Sequence, residues 1–317
     1  MTSPGSGYRS PHFGEKLALA VKAKRTPAVV GLDPRWRELP DELRSQAGHD
    51  SRESQAEAVC RFCEAVVDQV AELVPAVKVQ SAFFESLGPE GMGSLARVIG
   101  YARQRGLLVI VDAKRGDIGS TAEAYAKAYF APDQTAPWPA DAITVNPYLG
   151  TDALQPFLEA ARAAEGGVFV LVRTSNPGAP EFQDLTTVAG KPVYRHIAEW
   201  VETQAAATAG HSGLGMVGAV VGATYPAQLE ELRGVMPHAW LLVPGYGAQG
   251  ATAKEVVPAF RSDGLGAIVN SSRGIIFAFR RPEYQSLSSQ RGWQAAVRKA
   301  TEDMIAELRE HTPAGRL

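Results

Sequence analysis

An alternating array of acids and bases follows the third apolar run of the chain. Asp112, Lys114 and Asp117 stand at spacings of two and three residues. Since side chains alternate along a strand, Asp112 and Lys114 are expected to point the same way. Buried charges of this kind are costly unless they pair. The array therefore indicates either a structural salt bridge or a fixed ammonium group held ready for chemistry.

Charged residues also end the first two apolar runs. The first run ends in Asp33, and the second carries Lys78 near its end. If the runs are parallel strands of one barrel, these side chains converge with Asp112 and Lys114 at the carboxyl ends of the strands, where barrel active sites lie. This convergence favours a catalytic site over an isolated ion pair.

Two glycine-rich segments near the end of the chain suggest a phosphate site. Pro244–Gly250 reads PGYGAQG, and Asn270–Gly274 reads NSSRG. Glycines let the backbone approach an anion closely, and Arg273 offers a forked, charged donor. In α/β barrels, the loops after strands seven and eight commonly bind phosphate.

Another polar segment, Arg173–Gly178, follows the fifth apolar run. Ser175 and Asn176 are suited either to hydrogen-bond a polar ring or to cap a turn. Turn capping is the commoner use of these residue types.

The elements that must position these residues alternate regularly. Eight β-rich runs are predicted as strands: 28–33, 75–80, 107–112, 142–146, 167–173, 216–222, 240–244 and 267–270. Helical patterns separate or follow them: 54–74, 91–103, 120–130, 151–164, 193–208, 226–235, 252–260 and 293–311. Eight such units predict an α/β fold, a single (β/α)8 TIM barrel with parallel strands. Six or seven would have favoured an open doubly wound sheet.

Residues 1–317 are expected to form one barrel domain, with a polar N-terminal extension and an insertion after the first strand. The insertion, Pro34–Arg52, is long and polar, and a second long segment, Thr174–Pro192, follows the fifth strand. Both are placed at the C-terminal face of the barrel, and loops of this length are usually functional or disordered.

Composition limits the class of protein. Of 317 residues, 45% are hydrophobic, and the net charge is −2, so neither disorder nor nucleic-acid binding is indicated. The apolar run Leu107–Val111 is far shorter than the ~20 residues that cross a bilayer. Residues 1–13 carry no apolar signal segment, so we expect no membrane association and a cytoplasmic protein.

Two cysteines and six histidines give no metal pattern. Cys60 and Cys63 form a CxxC inside a predicted helix, without a second pair to complete a zinc site. Core packing is the favoured interpretation over redox chemistry. No histidines stand at HxH or HxxxH spacing, so no metal is expected.

With these motifs, the chain resembles the orotidine 5'-phosphate decarboxylase family, and its longer bacterial branch in particular. Asp112-x-Lys114-x-x-Asp117 matches the DxKxxD motif of that family, which sugar-phosphate relatives share. SNPG at 175–178 and PGYGAQG at 244–250 make the resemblance specific. It extends from Gly31 to Gly274, which is most of the chain.

The resemblance implies decarboxylation of orotidine 5'-phosphate to uridine 5'-phosphate and CO2, in UMP biosynthesis, without a cofactor. It also implies a homodimer with shared active sites. Lys78, Asp112 and Lys114 would come from one subunit, and Asp117 and Thr121 from the other. Lys114 would stabilise a carbanion at C6 of the pyrimidine and protonate it.

Substrate-binding roles follow by position in the same way. Asp33 and Lys78 would contact the ribose, and Ser175 would hydrogen-bond the pyrimidine. Gln249 and Arg273 would hold the phosphate. Phosphate binding remote from the chemistry can drive loop closure, and the segment Thr174–Pro192 is the candidate lid.

Two alternatives stay open on the sequence. A related DxKxxD phosphosugar decarboxylase or synthase would need magnesium and a second metal-binding carboxylate near the Lys78 strand, where Glu85 is only a remote candidate. A non-catalytic nucleotide-binding barrel would be expected to have lost some of the charges, and here the array is intact.

Overall fold

The computed structural model describes residues 11–46, 51–132, 135–247 and 252–317. Within them, eight parallel strands pair in sequence order, and the eighth closes on the first. The strands are β1 Ala28–Leu32, β2 Ala76–Gln80, β3 Leu108–Arg115, β4 Ala142–Val145, β5 Gly167–Arg173, β6 Val217–Val221, β7 Leu241–Pro244 and β8 Ala267–Ser271. This closed arrangement confirms the predicted (β/α)8 barrel.

Helices alternate with the strands along the chain, as a (β/α)8 barrel requires. They are α1 Phe13–Lys24, α2 Asp41–Gln46, α3 Arg52–Val70, α4 Ala82–Glu85, α5 Gly88–Gln104, α6 Gly119–Tyr129, α7 Thr151–Ala163, α8 Pro180–Gln183, α9 Val193–Ala207, α10 Pro226–Val235, α11 Ala253–Val256, α12 Arg273–Ile276, α13 Pro282–Arg291 and α14 Trp293–His311. The apolar periodicity predicted eight of these helices: α3, α5, α6, α7, α9, α10, α11 and α14. It missed α1 and α13, and the short α2, α4, α8 and α12.

Residues of alternate parity on each strand serve two different cores. Val30, Val77 and Val109 belong to the large cluster between the strands and the surrounding helices. Their neighbours Val29 and Ile110 belong to a second cluster inside the barrel. The strands are buried on both faces, which is why they read as continuous β-branched runs rather than as an alternation of apolar and polar residues.

Helix α1 closes the N-terminal end of the barrel. Its buried Phe13, Leu17 and Val21 join the inner cluster. The Phe13 ring lies edge-on to Phe169 of β5, with ring centroids 5.8 Å apart, and the Trp240 indole N–H donates to the Gly14 carbonyl at 3.1 Å. The polar extension expected over residues 1–13 therefore ends before Phe13, which is a core residue, and residues 1–10 lie outside the described part of the chain.

Among the predicted element boundaries that were wrong, two have a physical reason in the structure. Strand β3 continues past Asp112 to Arg115, because Arg115 resumes pairing with Val145 of β4. The helix predicted over 252–260 ends at Val256 and continues only as a 3₁₀ turn, Val257–Ala259. Pro258 lacks the N–H that an α-helix would need at that position.

Both long segments carry local structure. The insertion after β1 contains a 3₁₀ turn, Trp36–Glu38, and α2. Arg280 donates to the carbonyls of Arg37 and Glu38, which ties the insertion to the region before α13. The segment after β5 contains α8 and a bridge between Thr186 and Pro192.

The cysteines lie in the core, as expected. Cys60 and Cys63 are free and buried on α3. Burial raises the pKa of the Cys60 thiol to about 12, which keeps it unreactive near neutral pH. Among the helices that the structure describes, none is long and apolar enough to span a membrane.

Candidate active site

On the first four strands, the side chains that face the barrel interior change from apolar to polar toward the C-terminal end of each strand. On β2, Ala76 of the inner cluster is followed at two-residue steps by Lys78 and Gln80. On β3, Ile110 is followed by Asp112. The C-terminal mouth of the barrel is therefore lined by charges that stand directly above an apolar floor.

Asp112 is the centre of this cluster, and four donors surround its carboxylate. Its Oδ2 accepts from Lys78 Nζ at 2.7 Å and from Gln80 Nε2 at 3.0 Å. Its Oδ1 accepts from Lys114 Nζ at 2.5 Å and from Thr144 Oγ1 at 2.9 Å. The carboxylate is thus fully satisfied, with one ammonium group on each oxygen.

The cluster is ionised. Burial would raise the pKa of Asp112, but the charges of Lys78 and Lys114 outweigh burial and hold that pKa well below its ordinary value. Burial would likewise lower the pKa of Lys78, but Asp112 and Asp33 raise it above its ordinary value. At neutral pH, a buried carboxylate thus lies between two ammonium groups.

Lys114 occupies an unusual backbone conformation. Its φ is +47°, whereas the other two described non-glycine residues with positive φ, Arg25 and Glu165, lie at or next to helix ends. For a residue with a side chain, this conformation costs about 1 kcal/mol or more. The Lys114 N–H donates to Thr144 Oγ1 at 2.9 Å, and the side chain is 44% exposed toward the barrel mouth. The ammonium group can therefore meet a bound molecule.

Asp33 lies beside Lys78, with Oδ1 4.0 Å from Nζ. This oxygen is buried and has no hydrogen-bond partner among the described residues. A buried acceptor without a donor is costly. A hydroxyl of a bound molecule would satisfy it.

Asp117 and Thr121 lie away from the cluster within one chain. Asp117 Oδ1 accepts from the Ile118 N–H at 2.8 Å, and Thr121 is exposed on α6. In the part of the chain that the structure describes, neither side chain bonds to Lys78, Asp112 or Lys114. Within one chain, these two residues therefore stand apart from the hydrogen bonds of the cluster.

The predicted phosphate side is only partly described. Arg273 begins α12 and is exposed, and Ser271 Oγ donates to the Tyr246 carbonyl at 3.4 Å, which links the ends of β8 and β7. Gln249 lies outside the described residues. Gly31 leaves room for this region, because a Cβ there would lie 1.8 Å from Ser272 Oγ.

Ser175 is half-buried at the start of the segment after β5. It packs on Gly222, where an added Cβ would lie 2.7 Å from the Ser175 Cβ. The segment itself is anchored by Arg173, whose Nε lies 2.8 Å from Asp184 Oδ1 and whose guanidinium stacks 4.5 Å from the centre of the Tyr225 ring. These contacts bring Ser175 to the barrel mouth.

Glu85, the remote candidate for a second metal ligand, is bound by Arg115 instead. Across the described ranges, no group of three or more His, Cys, Asp and Glu side chains is placed to hold a metal ion. The carboxylate that the magnesium alternative needs near β2 is thus committed to an ion pair.

This chain is similar to known proteins over most of its length. The sequence model of the Orotidine 5'-phosphate decarboxylase / HUMPS family matches residues 26–284. A protein of Rhodopirellula baltica named orotidine 5'-phosphate decarboxylase is 50% identical, over 94% of this chain and 99% of its own.

The chain belongs to the orotidine 5'-phosphate decarboxylase / HUMPS family.

Solved members of the orotidine 5'-phosphate decarboxylase family share the whole fold. A putative orotidine 5'-phosphate decarboxylase from Streptomyces avermitilis has a TM-score of 0.77 and 35% identity, over 98% of this chain and 99% of its own. The OMP decarboxylase of Leishmania donovani has a TM-score of 0.72 and 34% identity, over 95% and 98%. The similarity therefore includes the N-terminal helix and the C-terminal helices.

Two residues of the Asp112 cluster were not predicted from the sequence. Gln80 and Thr144 both donate to Asp112. The signal for Gln80 was available, because it stands two residues after Lys78 on the same strand face. Thr144 is uncharged, so nothing in the sequence marked it. Its hydrogen bond to Asp112 depends on the pairing of β4 with β3.

Proposed function

We propose that this enzyme decarboxylates orotidine 5'-phosphate to uridine 5'-phosphate and CO2, the step that forms UMP in pyrimidine biosynthesis. The observation that carries the proposal is the Lys78–Asp112–Lys114 cluster at the barrel mouth, with Lys114 exposed on its outer side. The family and the names of the relatives support the same activity.

The proposed chemistry needs only this chain's side chains. The bond between C6 and the carboxylate breaks, CO2 leaves, and the electron pair stays on C6. The Lys114 ammonium group stabilises this charge electrostatically and then transfers a proton to C6. Solvent afterwards returns a proton to the Lys114 amine. Asp112 holds Lys114 Nζ at 2.5 Å, so the charge is in place before the reaction begins.

Binding roles are proposed on the same geometry. Asp33, whose buried Oδ1 lacks a donor, accepts from a ribose hydroxyl together with Lys78. Ser175 bonds to the pyrimidine, and Arg273 holds the phosphate together with Gln249, whose role is proposed from its place in the PGYGAQG segment. The segment 174–192 closes over the pyrimidine. The ion pair of Arg173 with Asp184 keeps the start of the segment attached to the barrel.

A homodimer with shared sites completes the proposal. Asp117 and Thr121 reach the site of the partner chain. Exposed apolar side chains lie on the same segment and on the loop after β4: Ile118 and Tyr125 flank Thr121 in the sequence, and Tyr148 and Leu149 follow β4. Exposed apolar side chains of this size favour a protein interface when they lie together. The free cysteines fit the cytoplasm, where thiols stay reduced.

The test is the loss of orotidylate absorbance on adding the purified protein, with UMP and CO2 measured as products in equal amounts. Orotidine without its phosphate is the matched control and should react far more slowly. Addition of EDTA should leave the rate unchanged.

Three results would count against the proposal. Binding of UMP without turnover of orotidine 5'-phosphate would indicate a nucleotide-binding barrel. Abolition of activity by EDTA would favour the magnesium-dependent relatives. Equal rates with and without the substrate phosphate would remove the phosphate site from the reaction.

A further inference from the structure

The pairing of β3 with β4 is irregular where the catalytic lysine stands. Val111 pairs with Ile143, but the register then shifts until Arg115 pairs with Val145. Lys114 lies inside this bulge with its φ of +47°. A conformation that is unfavourable for a lysine persists only if neighbouring contacts hold the chain on both sides. On the preceding side, Asp112 and Thr144 supply such contacts.

Arg115 supplies contacts on the following side. Its Nη2 forms an ion pair with Glu85 Oε1, and its Nη1 donates to the Ala113 carbonyl at 3.3 Å. Its guanidinium also lies 5.6 Å from the centre of the Tyr125 ring on α6. The Arg115 carbonyl accepts from the Asn146 N–H at 2.8 Å. One side chain thus spans the bulge and joins it to its neighbours.

The ion pair between Arg115 and Glu85 also links the bulge to the neighbouring βα unit. Glu85 ends α4, the helix that directly follows the strand carrying Lys78 and Gln80. The ion pair therefore connects the segments that carry the two ammonium groups on Asp112. Arg115 is half-buried and points away from the cluster, so it does not meet a molecule bound at the mouth.

We propose that Arg115 is a positioning residue: through Glu85 and the Ala113 carbonyl, it holds the bulge that sets Lys114 Nζ against Asp112. This inference rests on the proposed function for its kinetic consequence, but not for its structural one. Arg115 is suited to the task because its planar fork directs separate N–H groups at a carboxylate and a carbonyl in fixed directions, whereas a lysine offers freely rotating donors on a single nitrogen.

The test replaces Arg115 by methionine, which keeps the length of the side chain without its charge. A catalytic group displaced by about 1 Å can lose about 100-fold in rate. We therefore expect kcat to fall by about that factor while KM stays within twofold. Arg97→Met is the matched control, because Arg97 also bridges helices through carboxylates, Glu57 and Glu64, but forms none of the ion pairs or hydrogen bonds described above for the bulge.

Arg115→Lys keeps the charge and covers the case in which Arg115→Met does not fold. Its kcat should lie between those of the parent and of Arg115→Met. A kcat within threefold of the parent for Arg115→Met, or within twofold for Arg115→Lys if only that variant folds, would overturn the proposal. An equal loss in Arg97→Met would do the same.

A second readout is independent of turnover. Reductive ¹³C-methylation labels the lysines, and the Lys114 resonance is identified by its absence from Lys114→Arg. This resonance should shift in Arg115→Met and stay unchanged in Arg97→Met. If the unmodified protein does not consume orotidine 5'-phosphate, the proposed function fails, and the resonance still decides the role of Arg115: an unmoved signal overturns it.

Discussion

Replacing Asp112 by asparagine tests the electrostatic account of the cluster directly. All four neighbours of the carboxylate present hydrogen atoms to it: Lys78, Gln80, Lys114 and Thr144. An asparagine has one acceptor oxygen and one NH2 group, so its NH2 must face one of the ammonium groups. The variant removes the negative charge and sets two donors against each other.

The size of the effect follows from burial. Breaking a buried ion pair by removing one partner costs about 3–5 kcal/mol. The side chain of Lys78 is 5% exposed and carries most of this cost, while Lys114 can turn toward water. Asp33, at 4.0 Å, partly compensates Lys78. We therefore expect the free energy of unfolding of Asp112→Asn to fall by the lower figure, ~3 kcal/mol.

The assay is urea unfolding followed by circular dichroism, at one protein concentration and at several pH values. Asp68→Asn is the control, because its ion pair with Arg105 is at the surface, where such pairs contribute about 0–1 kcal/mol. Since the pKa of Asp112 is lowered in the folded protein, its stabilisation is complete above the ordinary carboxyl pKa of 3.8. Below that pH, the stabilisation declines by about 1.4 kcal/mol per pH unit.

The stability difference between the parent and Asp112→Asn should thus be constant from pH 8 to about pH 5 and shrink in stronger acid. A difference below about 1 kcal/mol at pH 7 would refute the reasoning, because the buried charges would then not need Asp112. A difference that widens on acidification would show that the folded pKa is shifted in the opposite direction.

Three further outcomes are expected. Lys114→Ala should lower kcat by about 10³-fold or more while UMP still binds, and turnover within tenfold of the parent would remove Lys114 from the mechanism. Arg273→Ala should reduce kcat/KM for orotidine 5'-phosphate far more than for orotidine, since it loses a charge-assisted phosphate contact, and equal losses would contradict that role. Lys114→Ala and Asp117→Ala subunits, each inactive alone, should recover activity when they exchange: about half of the dimers are hybrids, each with one intact site, so about a quarter of all sites work. No recovery after exchange verified by mass spectrometry would rule out shared sites.

The barrel and the charged residues could be read from the sequence because their signals are local. Strands such as β5, Gly167–Arg173, are short β-branched runs bounded by helical patterns, and their number selects a closed barrel. The proximity of Asp112 and Lys114 follows from a spacing of two residues. The segments that we propose to bind phosphate were marked by their glycines and by Arg273.

Tertiary structure decided what depends on residues that are distant along the chain. The alternation rule predicted that Lys114 faces Asp112, but the contact is made through a left-handed residue in a bulge, which only the pairing of β3 with β4 reveals. The donors Gln80 and Thr144, and the pair of Arg115 with Glu85, lie 30 to 32 positions from their partners. Closure of the barrel brings them together, because hydrophobic periodicity specifies which face of a strand is buried but not which polar groups meet above the core.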